Sequence, residues 1–163
     1  MPFDTAVQAM MVGIGGTVVL DLYAKIAQLA IGMPATNWRM VGRWIGHMTD
    51  SEFVQPKLAE ARAVRGEHVI GWIFHYAVGT GYGLLILAIW GSDWLENPDI
   101  AAPLVVSLAL LVLPYFVMMS GMGLGIAGSR TLRPNLTRLK SLIGHTVFGL
   151  GMYFSAVVLV RFA

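Results

Sequence analysis

The chain has 163 residues, 56% of them hydrophobic and only 12% charged, where an ordinary soluble domain is roughly a quarter charged. A mean hydropathy of +0.69 argues against a water-soluble globule, and a formal charge of +2 leaves no basic groove for nucleic acid. The absence of cysteine removes disulfides, thiolate metal sites and iron–sulfur clusters.

In chain order, Met1-Pro2-Phe3-Asp4 lacks the basic leader and cleavage pattern of a signal peptide, so the first apolar block reads as a retained span. That block, about 5–31, is long enough to cross a hydrocarbon core of ~30 Å and is interrupted by Asp21 and Lys25. The loop 32–67 carries a pattern of its own. Trp38, Val41, Ile45 and Met48 recur at near-helical spacing, which predicts a short amphipathic helix on the inner leaflet, capped by Thr36 or Asn37. A second short helix is expected near Pro56, with Leu58, Ala61 and Val64 on one side and Lys57, Glu60 and Arg62 solvated. His47, Asp50 and Glu52 are spaced too loosely for a cation site and read as a solvated turn.

Three further blocks, about 68–90, 100–127 and 139–160, complete four spans. Pro114 inside the third predicts a kink and a freed carbonyl that a neighbouring helix or water must satisfy. The fold class is therefore all-α, a single membrane domain over 1–163 built as a bundle of four transmembrane helices with a cytoplasmic amphipathic loop. Bases sit in the first loop (Arg39, Arg43, Lys57, Arg62, Arg65) and the third (Arg130, Arg133, Arg138, Lys140), while the second carries Asp93, Glu96 and Asp99. The excess of bases puts the first and third loops in the cytoplasm and both termini outside, with Arg161 a mild dissent and Trp90 and Trp94 at the outer interface.

Glycine inside helices lowers propensity and needs a reason. Gly79 with Gly83, and Gly121 with Gly125, have the four-residue spacing that lets helices approach closely. A phosphate loop is rejected, because the glycines lie within apolar spans without the preceding strand or the Lys-Ser/Thr it needs. His75 and His145 each open a His-x-x-x-Gly-x-Gly pattern, 70 residues apart, as a duplicated hairpin or convergent packing would produce.

Asp21, His75 and His145 fall at depths of about 15, 12 and 8 Å from the cytoplasmic ends of their spans, so they share one half of the bundle. Ser120, with Met118, Met119 and Met122, is at comparable depth. A charged Asp in hydrocarbon costs ~2.5 kcal/mol or more, and Lys25, one turn on, is its local partner. Three readings compete for this layer: buried structural hydrogen bonds; a site formed by Asp21, Lys25, His75, Ser120 and His145 for a proton, ion or small polar solute; and axial ligation of a haem by His75 and His145. The histidines are too few for a di-iron desaturase, and no paired His-Glu motif of a zinc peptidase is present. Ser120 with His145 as a serine peptidase pair lacks helices to house a substrate, so no enzyme is expected.

Gly42-Arg43-Trp44-Ile45-Gly46-His47-Met48, Gly66-Glu67-His68-Val69-Ile70-Gly71-Trp72 running to His75-Tyr76, Ser129-Arg130-Thr131, and Arg138-Leu139-Lys140-Ser141-Leu142 running to His145 resemble an uncharacterised family of small bacterial multi-pass membrane proteins. The resemblance covers nearly the whole chain. It implies a bacterial inner membrane and brings no activity, cofactor or catalytic residue with it. Met119-Ser120-Gly121 and Leu132 stand where the family pattern has Gln-Pro and Pro. The leading expectation is ion or solute handling in the membrane, in a homo-oligomer or larger complex, with no cofactor. The rival is a non-catalytic accessory subunit held by its glycine faces.

Overall fold

The computed structural model describes residues 3–50 and 52–162. Met1 and Pro2 of the expected leaderless N-terminus lie outside them. Among the described residues the secondary structure is helical throughout: α1 (Phe3–Ile31), α2 (Trp38–Met48), α3 (Glu67–Trp90), α4 (Asp93–Glu96), α5 (Ala101–Ala109), α6 (Met119–Gly121) and α7 (Pro134–Phe162). Four stretches are long and apolar enough to cross a membrane: Asp4–Ile31, Glu67–Trp90, Ala101–Gly121 and Pro134–Phe162.

The third span ends at Gly121, six residues before the expected boundary, and is not one α-helix. Proline has no N–H to give the carbonyl one turn back. At Pro114 that carbonyl is Leu110 O, and it accepts instead from Leu113 N at 2.9 Å. The chain then widens into a π-helical turn, Leu113–Met118, closed by Met119 N donating to Pro114 O. The freed carbonyl thus has a donor within its own helix.

Beyond α6 the chain turns on Gly123, Gly125 and Gly128, all at positive φ. Gly125 is needed for its backbone conformation, φ +74, so the Gly121/Gly125 pair is not a helical packing motif.

Asn37 caps α2 as expected, its side chain accepting from Met40 N at 3.3 Å. The buried face of α2 is Val41, Gly42, Trp44 and His47, one step round from the expected stripe. The second short helix near Pro56 does not form. Residues 56–61 make single turns that bury Leu58, and Arg43 Nη1 takes the carbonyls of Ala59 at 3.4 and Ala61 at 3.2 Å. Trp94 is buried, with Nε1 donating to Asp99 O at 3.2 Å, so of the two expected interface markers Trp90 alone is exposed.

The chain groups into two compact units, one of residues 1–35, 76–109 and 143–163, the other of 36–75 and 110–142. In the first, four helices pack through small residues. A Cβ on Gly83 would strike Ala9 O, one on Gly79 the Thr17 hydroxyl, one on Gly16 the side chain of Met152, and one on Gly149 the Ser107 hydroxyl. Tyr82 meets Phe148 edge to face at 5.0 Å. The two halves of the His-x-x-x-Gly-x-Gly echo differ, since Gly151 is pressed against Val19 and Gly16 while Gly81 faces open space. In the second unit α2 crosses the start of α3 at Gly42 and Gly71, where a Cβ on either would enter the partner's backbone, and the Trp44 indole lies on Gly121.

Candidate functional site

In the first unit, the stripe Ala9, Gly13, Thr17 and Asp21 repeats every four residues along α1 and so lies on one face. Ala9 meets Gly83 and Gly13 meets Gly79, so α3 runs antiparallel to α1. Thr17 is fully buried and satisfies its hydroxyl on Gly13 O at 2.9 Å. The next position of the seam is polar on both sides. Tyr76 Oη donates to Asp21 Oδ2 at 3.0 Å, and the Tyr76 carbonyl accepts from Thr80 Oγ1 at 2.8 Å. The glycines set this distance, since larger residues at 79 and 83 would hold α3 off α1.

Asp21 is half-buried and Lys25 is exposed. The carboxylate takes a phenol from another helix. Tyr76 was missed in the sequence although it follows His75 directly. The signal for it is the small-residue seam, which points Asp21 at the α3 residue one step beyond Gly79. His145, on α7, belongs to the same unit and is half-buried.

His75 belongs to the second unit, together with Ser120 and the methionines of the third span. Its imidazole is buried and stacked on the Trp38 indole, with centroids 3.9 Å apart and planes 22° from parallel. Trp72 stands edge-on to it at 5.8 Å. Two indoles thus fix the ring position, whichever partner the ring nitrogens take.

At the start of α3, Glu67 is buried and accepts from Arg39 Nε, from Arg43 Nε at 2.8 Å and Nη2 at 3.0 Å, and from Val64 N at 3.1 Å. The hydrogen bond to Glu67 raises the Arg43 guanidinium above its ordinary value, against the opposing effect of burial. This cluster clasps the loop to α2 and α3 and is structural.

Ser120 Oγ is buried and has no hydrogen-bond partner. His47 is buried too, with Nε2 2.9 Å from Arg62 O and Nδ1 3.5 Å from Glu52, which ties it into the loop rather than leaving a solvated turn. Among the described residues, no three or more of His, Asp and Glu are grouped so as to hold a metal ion.

No curated protein and no solved structure matches the chain. The profile of a family described as protein of unknown function (DUF2938) matches residues 10–159. Those residues include Asp21 and Tyr76 and the whole of the α2–α3 crossing, and the chain belongs to that family.

Proposed function

We propose that the protein is a non-enzymatic component of the bacterial inner membrane that binds and passes a proton or small cation at the Asp21–Tyr76 pair. The observation that carries this reading is the 3.0 Å bond from a phenol of one span to a carboxylate of another. An ionisable side chain at such a depth costs ~2.5–3.5 kcal/mol unless paired, and is retained chiefly on ion and proton pathways. A structural bond alone could be made at lower cost by a neutral group, as Thr17 does one turn away. The carboxylate adds a group that can accept a proton or a cation, and the phenol holds it in place.

The excess of bases in 32–67 and 129–140 supports a cytoplasmic place for both loops, with both termini outside. The test uses proteoliposomes loaded with a dye sensitive to the ion assayed, proton, sodium or potassium, and given an imposed gradient of that ion. Wild-type protein is expected to dissipate the gradient, with sodium or potassium present if the ion is not a proton, and Asp21→Asn to abolish this. Equal rates for the two proteins contradict the reading.

A second reading, an accessory subunit of a larger complex, is favoured by Gly81, an exposed span residue that faces open space. It lies one turn from exposed Ala77, a surface on which another helix would pack closely. Gly81→Leu should then release the partner or split a homo-oligomer, whereas Asp21→Asn should not.

A further inference from the structure

Charge is divided very unevenly between the two units. Nine of the eleven lysines and arginines and four of the nine acids fall in the second, leaving it at +5 and the first at −3. Within the second unit one apolar side chain of the basic belt is more exposed than its exposed neighbours Ile126, Leu136 and Leu139. Leu132 is 103% exposed, between exposed Arg130 and Arg133.

The segment presenting it is firmly built. Arg130 N donates to Leu124 O at 2.8 Å and Thr131 N to Gly128 O at 3.0 Å. Thr131 Oγ1 bonds Gly128 O at 2.7 and Thr137 Oγ1 at 3.1 Å, and Arg138 Nε bonds Ala127 O at 3.1 Å. A leucine held out by such a frame has no contact within this chain to explain it.

Helix α7 shows what surrounds it. Its 29 residues extend about 43 Å at ~1.5 Å per residue, against a hydrocarbon core of ~30 Å. Its first turns carry Arg138 and Lys140, which assigns the excess at that end to headgroup level. Leu136 and Leu139 are exposed there, so the apolar face of the span runs out to Leu132 instead of stopping at the hydrocarbon edge. An apolar side chain flanked by bases at that depth suits an anionic phospholipid, the leucine entering the acyl boundary and the guanidinium groups rising to the phosphates.

We infer that Arg130, Leu132 and Arg133 form a contact site for an anionic phospholipid of the cytoplasmic leaflet. The site rests on the membrane placement given above and is independent of the Asp21–Tyr76 pair.

The chain has no cysteine, so Leu132→Cys accepts a single bimane label at a position where it displaces nothing. The labelled full chain goes into nanodiscs of mixed zwitterionic and anionic phospholipid, with a nitroxide on one lipid type or the other. The anionic nitroxide lipid is expected to quench several-fold more strongly, since each arginine near an anionic surface is worth about 1 kcal/mol, roughly fivefold. Arg130→Gln with Arg133→Gln should equalise the two lipids. Equal quenching with both arginines present overturns the inference without need of any further variant. So does quenching by a water-soluble nitroxide alone, which places Leu132 in solvent, and so does protection from every quencher, which assigns it to a protein contact. Ion flux of the same labelled chain reconstituted in sealed proteoliposomes separates these outcomes from failure of the Asp21–Tyr76 reading.

Discussion

Arg43 and Glu67, 24 residues apart, are joined by two parallel bonds, Nε to Oε2 at 2.8 Å and Nη2 to Oε1 at 3.0 Å. Both side chains are largely buried, at 11% and 5% exposure. The fork geometry is particular to arginine, and the carboxylate receives two further donors, from Arg39 and from the Val64 backbone. The pair closes the crossing of α2 over α3 at Gly42 and Gly71.

Breaking this pair from one side leaves an uncompensated charge in a buried place, which costs about 3–5 kcal/mol. Glu67→Ala is therefore expected to lower the unfolding temperature of the detergent-solubilised protein sharply. Arg43→Lys should restore little of the bidentate contact that Arg43→Ala loses. A Glu67→Ala protein as stable as wild type would show the cluster to be incidental.

The glycines of α3 divide by what lies opposite them. Gly79→Ala and Gly83→Ala drive a Cβ into Thr17 and into the Ala9 carbonyl, and each should destabilise by about 2 kcal/mol or more as the seam is forced apart. Gly81→Ala meets nothing and should be neutral or stabilising by up to about 1 kcal/mol through helix propensity. Unfolding of the three variants side by side tests this, and an equal loss in all three would contradict the packing described.

Much of this fold was legible in the sequence, for reasons that can be named. The four spans follow from runs of apolar residues too long for anything else, and α2 follows from its periodicity and the Asn37 cap. The close approach of α3 to α1 was legible in Gly79 and Gly83. The same spacing misled at Gly121 and Gly125, because a four-residue interval does not reveal whether the chain between is still helical. Pro114 announced a distortion but not that Leu113 would take the freed carbonyl and leave a π-helical turn behind. Tyr76 and Glu67 were passed over since their roles depend on which helices cross where. Lys25 was favoured as the partner of Asp21 because neighbours on one helix are the pairs a sequence displays.

Ser120 was a candidate ligand residue, and its hydroxyl is buried without a partner. An unsatisfied buried hydroxyl costs about 1–3 kcal/mol, so Ser120→Ala should raise stability in thermal unfolding and leave ion flux unchanged. Loss of flux in this variant would return Ser120 to the pathway.

Ala127 adopts φ +49, a left-handed conformation that costs a non-glycine residue about 1–2 kcal/mol. Ala127→Gly removes that strain but adds freedom to the unfolded chain, for a net gain of about 0.5–1 kcal/mol. A rise in unfolding temperature with unchanged helical circular dichroism is the expected result.

The central claim is that Asp21 and Tyr76 act as one unit in passing an ion, and a double-mutant cycle on flux tests it most directly. Asp21→Asn, Tyr76→Phe and the double variant are reconstituted at equal protein density and their initial rates compared. Each single change is expected to remove most of the flux, and the double variant to be no worse than Asp21→Asn alone, as for residues that share one interaction. Independent, additive effects, or full flux in either single variant, would contradict the account.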